Sequence, residues 1–379
     1  MCYYSVTICI TIKNTMDILN DVAAMATLKN SVDLRDILVV APSLHWHYSG
    51  VTSTIIALLP YQKKRIPIAA LGPFMPPEIP KISFYQILKH GWSKPLNKSH
   101  RIWHARRNNE IIIGLFLKYI LRQPWKMVFT WAGQRKQSKL TRWFLQKMDA
   151  VIATSEAAQA YVEVSSTVIH HGVDTKRFHP ADDKRSAWHE TGLPGSFGIG
   201  AFGRIRPEKG SDLFVEAMIK LLPKYPDATA IITGLVATEH QRFASHLKKH
   251  IIDAGLEKRI IFLGEQPTDK MPLWFRRMSL YVAPMRWEGF GLTPLEAMAS
   301  GTAVVATKTG AAPKLVEDNM TGILVQLNDL DALINAIEPF LANPEKANIM
   351  GNAGREKAIK YHDIDLEAVA IQTVYENVW

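Results

Sequence analysis

Cysteine is almost absent from this 379-residue chain, and the two present, Cys2 and Cys9, both fall within the first ten residues. They can neither close a long loop nor build a thiolate metal cluster with partners elsewhere, so the fold must stand on apolar cores and suits a reducing compartment. Runs of ~18 apolar residues, the length a membrane-spanning helix needs, are missing too. An apolar stretch at residues 6–12 has no basic segment before it and no small-residue cleavage pattern after it, which argues against a secretory leader. Acidic side chains are scarce in one region. Residues 81–150 carry fifteen Lys and Arg against Glu110 and Asp149, a balance of +13 in a chain that sums to +10, which leaves −3 for the remainder. Trp92, Trp103, Trp125, Trp131 and Trp143 are interleaved with that charge. The mixture fits a bilayer surface with anionic head groups, and equally a solvated basic face over core aromatics.

With 47% hydrophobic and 21% charged residues the composition is that of a globular protein, and the length suits two domains. Residues 1–33 read as an extension ahead of the first strand pattern, with Met25 an internal methionine where translation can also begin. From residue 36 an apolar run closed by Pro42 leads through a polar loop to Gly50 and a helical stretch at 51–59. Further strand patterns lie at 66–71, 101–105, 127–131 and 150–154. After a Pro- and Gly-containing stretch at 180–195 a second series follows at 197–202, 228–233, 260–263, 280–283, 303–307 and 322–325, with helical patterns between. Apolar strands separated by helix-length crossovers imply parallel sheets covered on both faces. The expected fold class is therefore α/β, two units with a joint near residues 173–190 and the active site in the cleft between them.

One stretch carries most of the chemistry: Arg286-Trp-Glu-Gly-Phe-Gly-Leu-Thr-Pro-Leu-Glu296, which runs from a strand into a helix. Thr293 is placed to cap that helix, with Pro294 at its first turn and Glu296 three residues on; Gly301 ends it. Gly289 and Gly291 leave amide N–H groups bare at the positive helix end, where a diphosphate can bind. Glu288 and Glu296 can each accept hydrogen bonds from vicinal sugar hydroxyls; the alternatives are a solvated loop carboxylate and a capping-box partner.

The second stretch, Ala201-Phe-Gly-Arg-Ile-Arg-Pro-Glu-Lys-Gly210, brackets a loop with Arg204 and Lys209, one cation suited to a bidentate phosphate contact and one to a point charge. Within it, Gly198, Gly200 and Gly203 match a dinucleotide fingerprint, but they lie in a strand with no strand before them. In the first half, Tyr48-Ser49-Gly50 enters the first helix beside the cleft. His104 ends a strand and can orient a hydroxyl or serve structure, while Arg106 and Arg107 can hold an anionic acceptor. Asp329/Asp331 and Asp363/Asp365 have metal-like spacing but each precedes a helix, so they read as caps and no metal site is expected.

Together these segments resemble the large retaining glycosyltransferase family, family 4, that includes sucrose synthases and many bacterial mannosyltransferases and has the GT-B fold of two facing Rossmann-like domains. The match spans about residues 34–379, with Glu288 and Glu296 as its paired glutamates, Gly203, Arg204, Lys209 and Gly210 as its basic loop, and His171-Gly-Val-Asp174, Phe178 and Pro180 as its interdomain connection. Residues 49–54, 101–110 and 148–155 look more narrowly like the lipopolysaccharide-core mannosyltransferases of alphaproteobacteria. This resemblance implies an acceptor domain at 34–174, a donor domain at 175–362 and a last helix, 363–379, that crosses back. It implies that Arg204 and Lys209 hold the donor diphosphate with Gly50, Gly203, Gly289, Phe290, Gly291 and Leu292 around it. Glu288 then meets the transferred sugar, Glu296 the ribose and Glu265 the base, and His104, Arg106 and Arg107 line the acceptor side. It further implies a GDP-mannose co-substrate with no cofactor or metal, a lipid-linked acceptor bearing acidic Kdo, and a cytoplasmic enzyme on the inner-membrane surface. Ser49-Gly50 replaces a frequent Gly-Gly pair, and Arg106 a frequent second histidine.

Three rival activities remain at this level: a hexosyltransferase using a UDP-sugar, a nucleotide-sugar epimerase on the same scaffold, and a nucleic-acid binder. Against the last, the basic region has no zinc spacing, RNA-binding signature or repeat, and charge alone gives only salt-sensitive, nonspecific affinity.

Overall fold

β-Branched and apolar runs too short for helices become buried parallel strands, and the computed structural model, which describes residues 31–45, 50–73, 75–95 and 97–379, contains two such sheets. The first is ordered β2-β1-β3-β4-β5-β6, from β1 (Val39–Pro42), β2 (Ile68–Leu71), β3 (Arg101–Ala105), β4 (Trp125–Trp131), β5 (Ala150–Ala153) and β6 (Thr167–Val168). Its first strand is shorter than the apolar run predicts, because Asp33 caps a 3-10 turn at Leu34–Asp36 and delays β1 to Val39. The two-residue β6 had no pattern to announce it. Cys2, Cys9, Met25 and the Tyr48-Ser49 pair lie outside the described residues, whereas Val32 N–H already donates to Lys81 O at 3.0 Å.

Helix α1 (Gly50–Gln62) lies on one face of this sheet. Helices α2 (Phe84–His90), α3 (Asn108–Leu115, continued by a π-turn at Phe116–Ile120) and α4 (Lys139–Leu145) lie on the other, where Ile87, Ile111, Leu117 and Phe144 join the strand residues Trp103, Met127 and Phe129 in one core. Arg101, one of the fifteen cations of the basic region, belongs to the interior. It is 1% exposed, its Nε donates to the carbonyls of Leu34 and Ile37 at 3.1 and 3.0 Å, and burial pushes its pKa down to about 10.

The second sheet, β12-β11-β10-β7-β8-β9, contains β7 (Phe197–Phe202), β8 (Ala228–Thr233), β9 (Ile260–Gly264), β10 (Leu280–Ala283), β11 (Ala303–Thr307) and β12 (Ile323–Val325). The fingerprint-like glycines of β7 serve packing: a Cβ on Gly198 would stand 2.4 Å from the Trp188 ring and one on Gly200 2.7 Å from the Phe202 ring. Around this sheet run α5 (Ser211–Leu221), α6 (Leu292–Ala299) and α7 (Pro344–His362). The last helix, α8 (Ile364–Val378), leaves this half and buries Ile364, Ala368, Ile371 and Tyr375 in the same core as α1. Asp329 and Asp363 cap helices, accepting from the amides of Ala332 and Asp365 at 2.8 and 2.9 Å.

Tyr375 pins α8 to the first sheet: its hydroxyl is 2.6 Å from His104 Nδ1 and accepts from Gln62 Nε2 at 3.4 Å. Tyr375→Phe removes that oxygen from a fully buried position and is expected to lower stability by about 1–3 kcal/mol, read as a lower denaturation midpoint in urea.

Candidate functional site

The loops after β4 and β10 meet across the gap between the halves. Gln134 Nε2 donates to Gly289 O at 2.9 Å, and a Cβ on Gly289 would approach Ala132 O to 2.9 Å. Both loops leave carboxyl ends of strands, so the two sheets present those edges to one cleft, where ligands of such sheets bind.

Two basic and acidic loops are bound into a single unit on the second half. Arg286 grips Asp212 with NH1 at 2.7 Å and NH2 at 2.8 Å, and its amide donates to Glu208 O at 2.9 Å. That bidentate pair fixes the loop holding Arg204 and Lys209 against the loop holding Glu288. Lys209 Nζ is ion-paired with Glu288, and Gly289 N–H donates to the other oxygen of the same carboxylate at 2.9 Å. Arg204 and Lys209 line one small pocket together with Gly203 and Tyr281, and Arg204 is exposed. Gly203 adopts φ 135° and Gly210 φ 68°, a turn that only glycine tolerates at Gly210, where a Cβ would stand 1.9 Å from Pro284 O.

The start of α6 differs from its expected form. Gly291, at φ 97°, occupies the N-cap, the helix begins at Leu292, and the capping box between Thr293 and Glu296 is not made. Tyr281, buried at 0% exposure, lies beside this turn and donates to Phe202 O at 3.1 Å. With no capping box, Glu296 is left for the cleft. It lines a cavity of about 440 Å³ with Leu292, the α1 residues Ser53 and Thr54, and Asp174 and Arg177 of the connection. Burial pushes its carboxyl up to about 7, with Arg177 pulling weakly the other way. Arg204 and Lys209 therefore line one pocket and Glu296 the other, while Glu288 reaches the first only through its ion pair with Lys209. Tyr281 stands between, lining the first and feeling the charge of both Glu288 and Glu296.

Other expected site residues fall elsewhere. His104 is 0% exposed, with Nδ1 on Tyr375 and Nε2 2.7 Å from Thr130 Oγ1, and burial drives its pKa well below the ordinary value. Both ring nitrogens are used inside the core, and through Tyr375 they tie β3 to α8. Arg107 likewise serves the interior: NH1 meets the buried Glu110 at 3.1 Å and NH2 meets Thr52 Oγ1 on α1 at 3.0 Å. Arg106 gives its amide to Glu110 at 2.7 Å, while its partly buried guanidinium has only a 3.5 Å contact with His104 O and lies in the field of Tyr375 and Glu367. The Phe290 ring, 5% exposed, packs edge-on against His171 at 5.0 Å. Gly50 is the exposed first residue of α1, and Glu265 is exposed at the end of β9.

Sequence reading missed Arg286, Asp212, Tyr281 and Gln134. The first three sit in or beside the recognised segments, but pairing across 74 residues leaves no local pattern.

A cleft between the carboxyl edges of two parallel sheets, with cations and carboxylates on the second half, is the arrangement of the GT-B fold. A model of the family "Glycosyl transferases group 1" matches residues 194–357. The chain is 46% identical over 347 residues, 91% of its own length and 98% of the relative's, to the lipopolysaccharide core biosynthesis mannosyltransferase LpcC of Rhizobium leguminosarum bv. viciae. It is 44% identical over 351 residues, 92% and 99% of the two lengths, to LpsB of Rhizobium meliloti, which bears the same description. Among solved structures, Anabaena Alr3699/HepE in complex with UDP-glucose superposes with a TM-score of 0.74 at 20% identity, covering 89% of this chain and 99% of that one. The chain belongs to the group 1 glycosyltransferase family and is an enzyme of that class.

Glu296 generates a stability prediction with a definite sign. Its folded pKa is raised, so the folded state binds the extra proton between the ordinary carboxylate value and about 7, and stability falls as pH rises through that window. Glu296→Gln is expected to raise the thermal midpoint relative to the parent at pH 8, with the gain gone at pH 4, read by scanning calorimetry.

Proposed function

We propose that this glycosyltransferase moves mannose from GDP-mannose, with retention of configuration, to the Kdo region of a lipid A precursor at the cytosolic face of the inner membrane. The 46% identity to a lipopolysaccharide core mannosyltransferase across 98% of that relative carries the reading. The geometry supports it, since two cations, the loop amide of Gly289 and two carboxylates on one half suit a sugar diphosphate.

In this mechanism the acceptor hydroxyl approaches from the face the diphosphate leaves. The bond from C1 to the phosphate oxygen breaks with its electron pair on the diphosphate, the bond from C1 to the acceptor oxygen forms, and the acceptor proton passes to the departing phosphate. No side chain acts as nucleophile. Arg204, Lys209 and the amides after Gly289 meet the charge that grows on the diphosphate, about 3 kcal/mol for each well-placed donor. Arg106, whose guanidinium, unlike that of Arg107, makes no ion pair with Glu110, stands on the acceptor half and suits an acidic sugar.

The outer side of α2–α4 supports the membrane assignment. These helices cover one sheet face, so their solvent sides form one surface, and Tyr85, Trp92, Phe116, Tyr119, Ile120 and Trp143 are all exposed there. In residues 81–150 the only acidic residues are Glu110, buried, and Asp149, which is held by Lys118 and Lys126. A positive, aromatic-studded face matches an anionic bilayer. Among the described residues no helix is long and apolar enough to cross a membrane.

Purified protein is expected to transfer mannose from GDP-mannose, in preference to UDP-sugars, only when a Kdo-bearing lipid A precursor is added, and NMR of the product is expected to show the donor's anomeric configuration. Transfer from a UDP-sugar, or donor consumption without acceptor, would instead favour the hexosyltransferase or epimerase reading. Lys209→Ala is expected to cut turnover by about a hundredfold while circular dichroism stays unchanged. Co-sedimentation is expected with phosphatidylglycerol vesicles and not with phosphatidylcholine alone, and Lys89→Gln, on α2 over the exposed Tyr85 ring, should weaken it by about fivefold, the worth of one surface cation.

A further inference from the structure

The carboxylate of Glu288 is held at both oxygens. Gly289 N–H reaches Oε1 at 2.9 Å, and Lys209 Nζ pairs with Oε2. Both side chains are largely sheltered, at 20% exposure for Lys209 and 18% for Glu288, so the contact is more than a screened surface pair. The two groups that hold it, a loop amide at a helix start and a lysine, are also the two that the donor-site reading gives to a phosphate. A carboxylate and a phosphate oxygen ask the same things of such a site: negative charge and lone pairs directed at N–H donors. Arg204, beside Lys209 in the same pocket, has no carboxylate in contact, so only part of the anion site is satisfied internally.

We propose that Glu288 is an internal stand-in for the donor phosphate, competing with it for Lys209 and the Gly289 amide, and that this competition makes the enzyme prefer a loaded sugar nucleotide over the spent nucleoside diphosphate. The proposal rests on the donor-site reading above. A diphosphate that takes Lys209 strips Glu288 of its cation, and a sheltered carboxylate without a donor is costly. A sugar nucleotide repairs that loss, because the hydroxyls of its sugar can donate to the released carboxylate. A nucleoside diphosphate has no such hydroxyls and leaves the cost uncompensated. Glu288 then returns to Lys209 after transfer and helps expel the product, so one residue links phosphate binding, sugar recognition and turnover.

The test is calorimetric titration of the full chain and of Glu288→Gln, with Glu288→Ala as a second variant, against GDP, UDP, GDP-mannose and UDP-glucose. Thermal unfolding serves to check that each variant folds. Removing the competing charge is expected to tighten binding of the nucleoside diphosphate by about tenfold, the worth of one charge-assisted hydrogen bond, with no such gain for the matching sugar nucleotide. A residue that merely braces the loop, or one that touches only the sugar, gives no tightening of the diphosphate when replaced. Unchanged or weaker diphosphate binding in folded variants overturns the proposal. Should UDP bind better than GDP, the base assignment falls and the same comparison, made on UDP, still decides the role of Glu288. Failure of both nucleotides to bind the parent chain overturns the donor-site reading itself, and this proposal with it.

Discussion

Parallel strands send every strand-to-helix turn to the same edge of a sheet, and the site depends on that constraint. The turns after β7 and β10 emerge side by side because those strands are hydrogen-bonded neighbours, Leu280 opposite Ile199, although 77 residues separate the end of one from the start of the other. Side chains on the two turns then have only a few ångströms to cover. Arg286 spans them to reach Asp212, and Lys209 spans them to reach Glu288. Partly sheltered and, for Arg286, bidentate, these contacts hold better than fully exposed pairs, which explains why loops, ordinarily the mobile part of a fold, can present charges in a fixed arrangement.

The two halves are coupled by a second set of polar contacts at the connection. Glu367 on α8 accepts from Gly172 N–H at 2.7 Å and contacts His171 Nδ1 at 2.9 Å, and Val173 N–H donates to His362 O. Phe290, in the loop between β10 and α6, packs on the same His171. The connection, the crossing helix and that loop thus share neighbours, and a change of angle between the halves must pass through groups that touch it. Gln134 reaching Gly289 adds a direct contact on the cleft side.

His104 shows how a residue of suitable chemistry can be claimed by the interior. It stands at a strand end beside the cleft, where sequence leaves its ring free. Burial decides otherwise: an unpaired polar atom in the core costs more than a bond to a neighbour, so Tyr375 and Thr130 take the imidazole. The loss of the Thr293 cap is compensated by Gly291, whose left-handed backbone turns the chain into α6, and it releases Glu296 toward the cavity.

The α/β class and most strand positions, among them β3, β7, β8, β10 and β11, were legible from apolar runs punctuated by Pro and Gly, because burial on both faces of a parallel sheet is a local property of composition. Family membership was legible for a similar reason: Gly203 to Gly210 and Glu288 to Glu296 are short stretches whose chemistry is carried by neighbours in the chain. Tertiary structure alone decided which charges stay available. Arg106 and Arg107 are adjacent and alike in sequence, yet the guanidinium of Arg107 is held by Glu110 and Thr52 while that of Arg106 is not. Whether a cation is neutralised depends on a partner brought near by the packing of helices on a sheet, and no spacing within the chain encodes that distance.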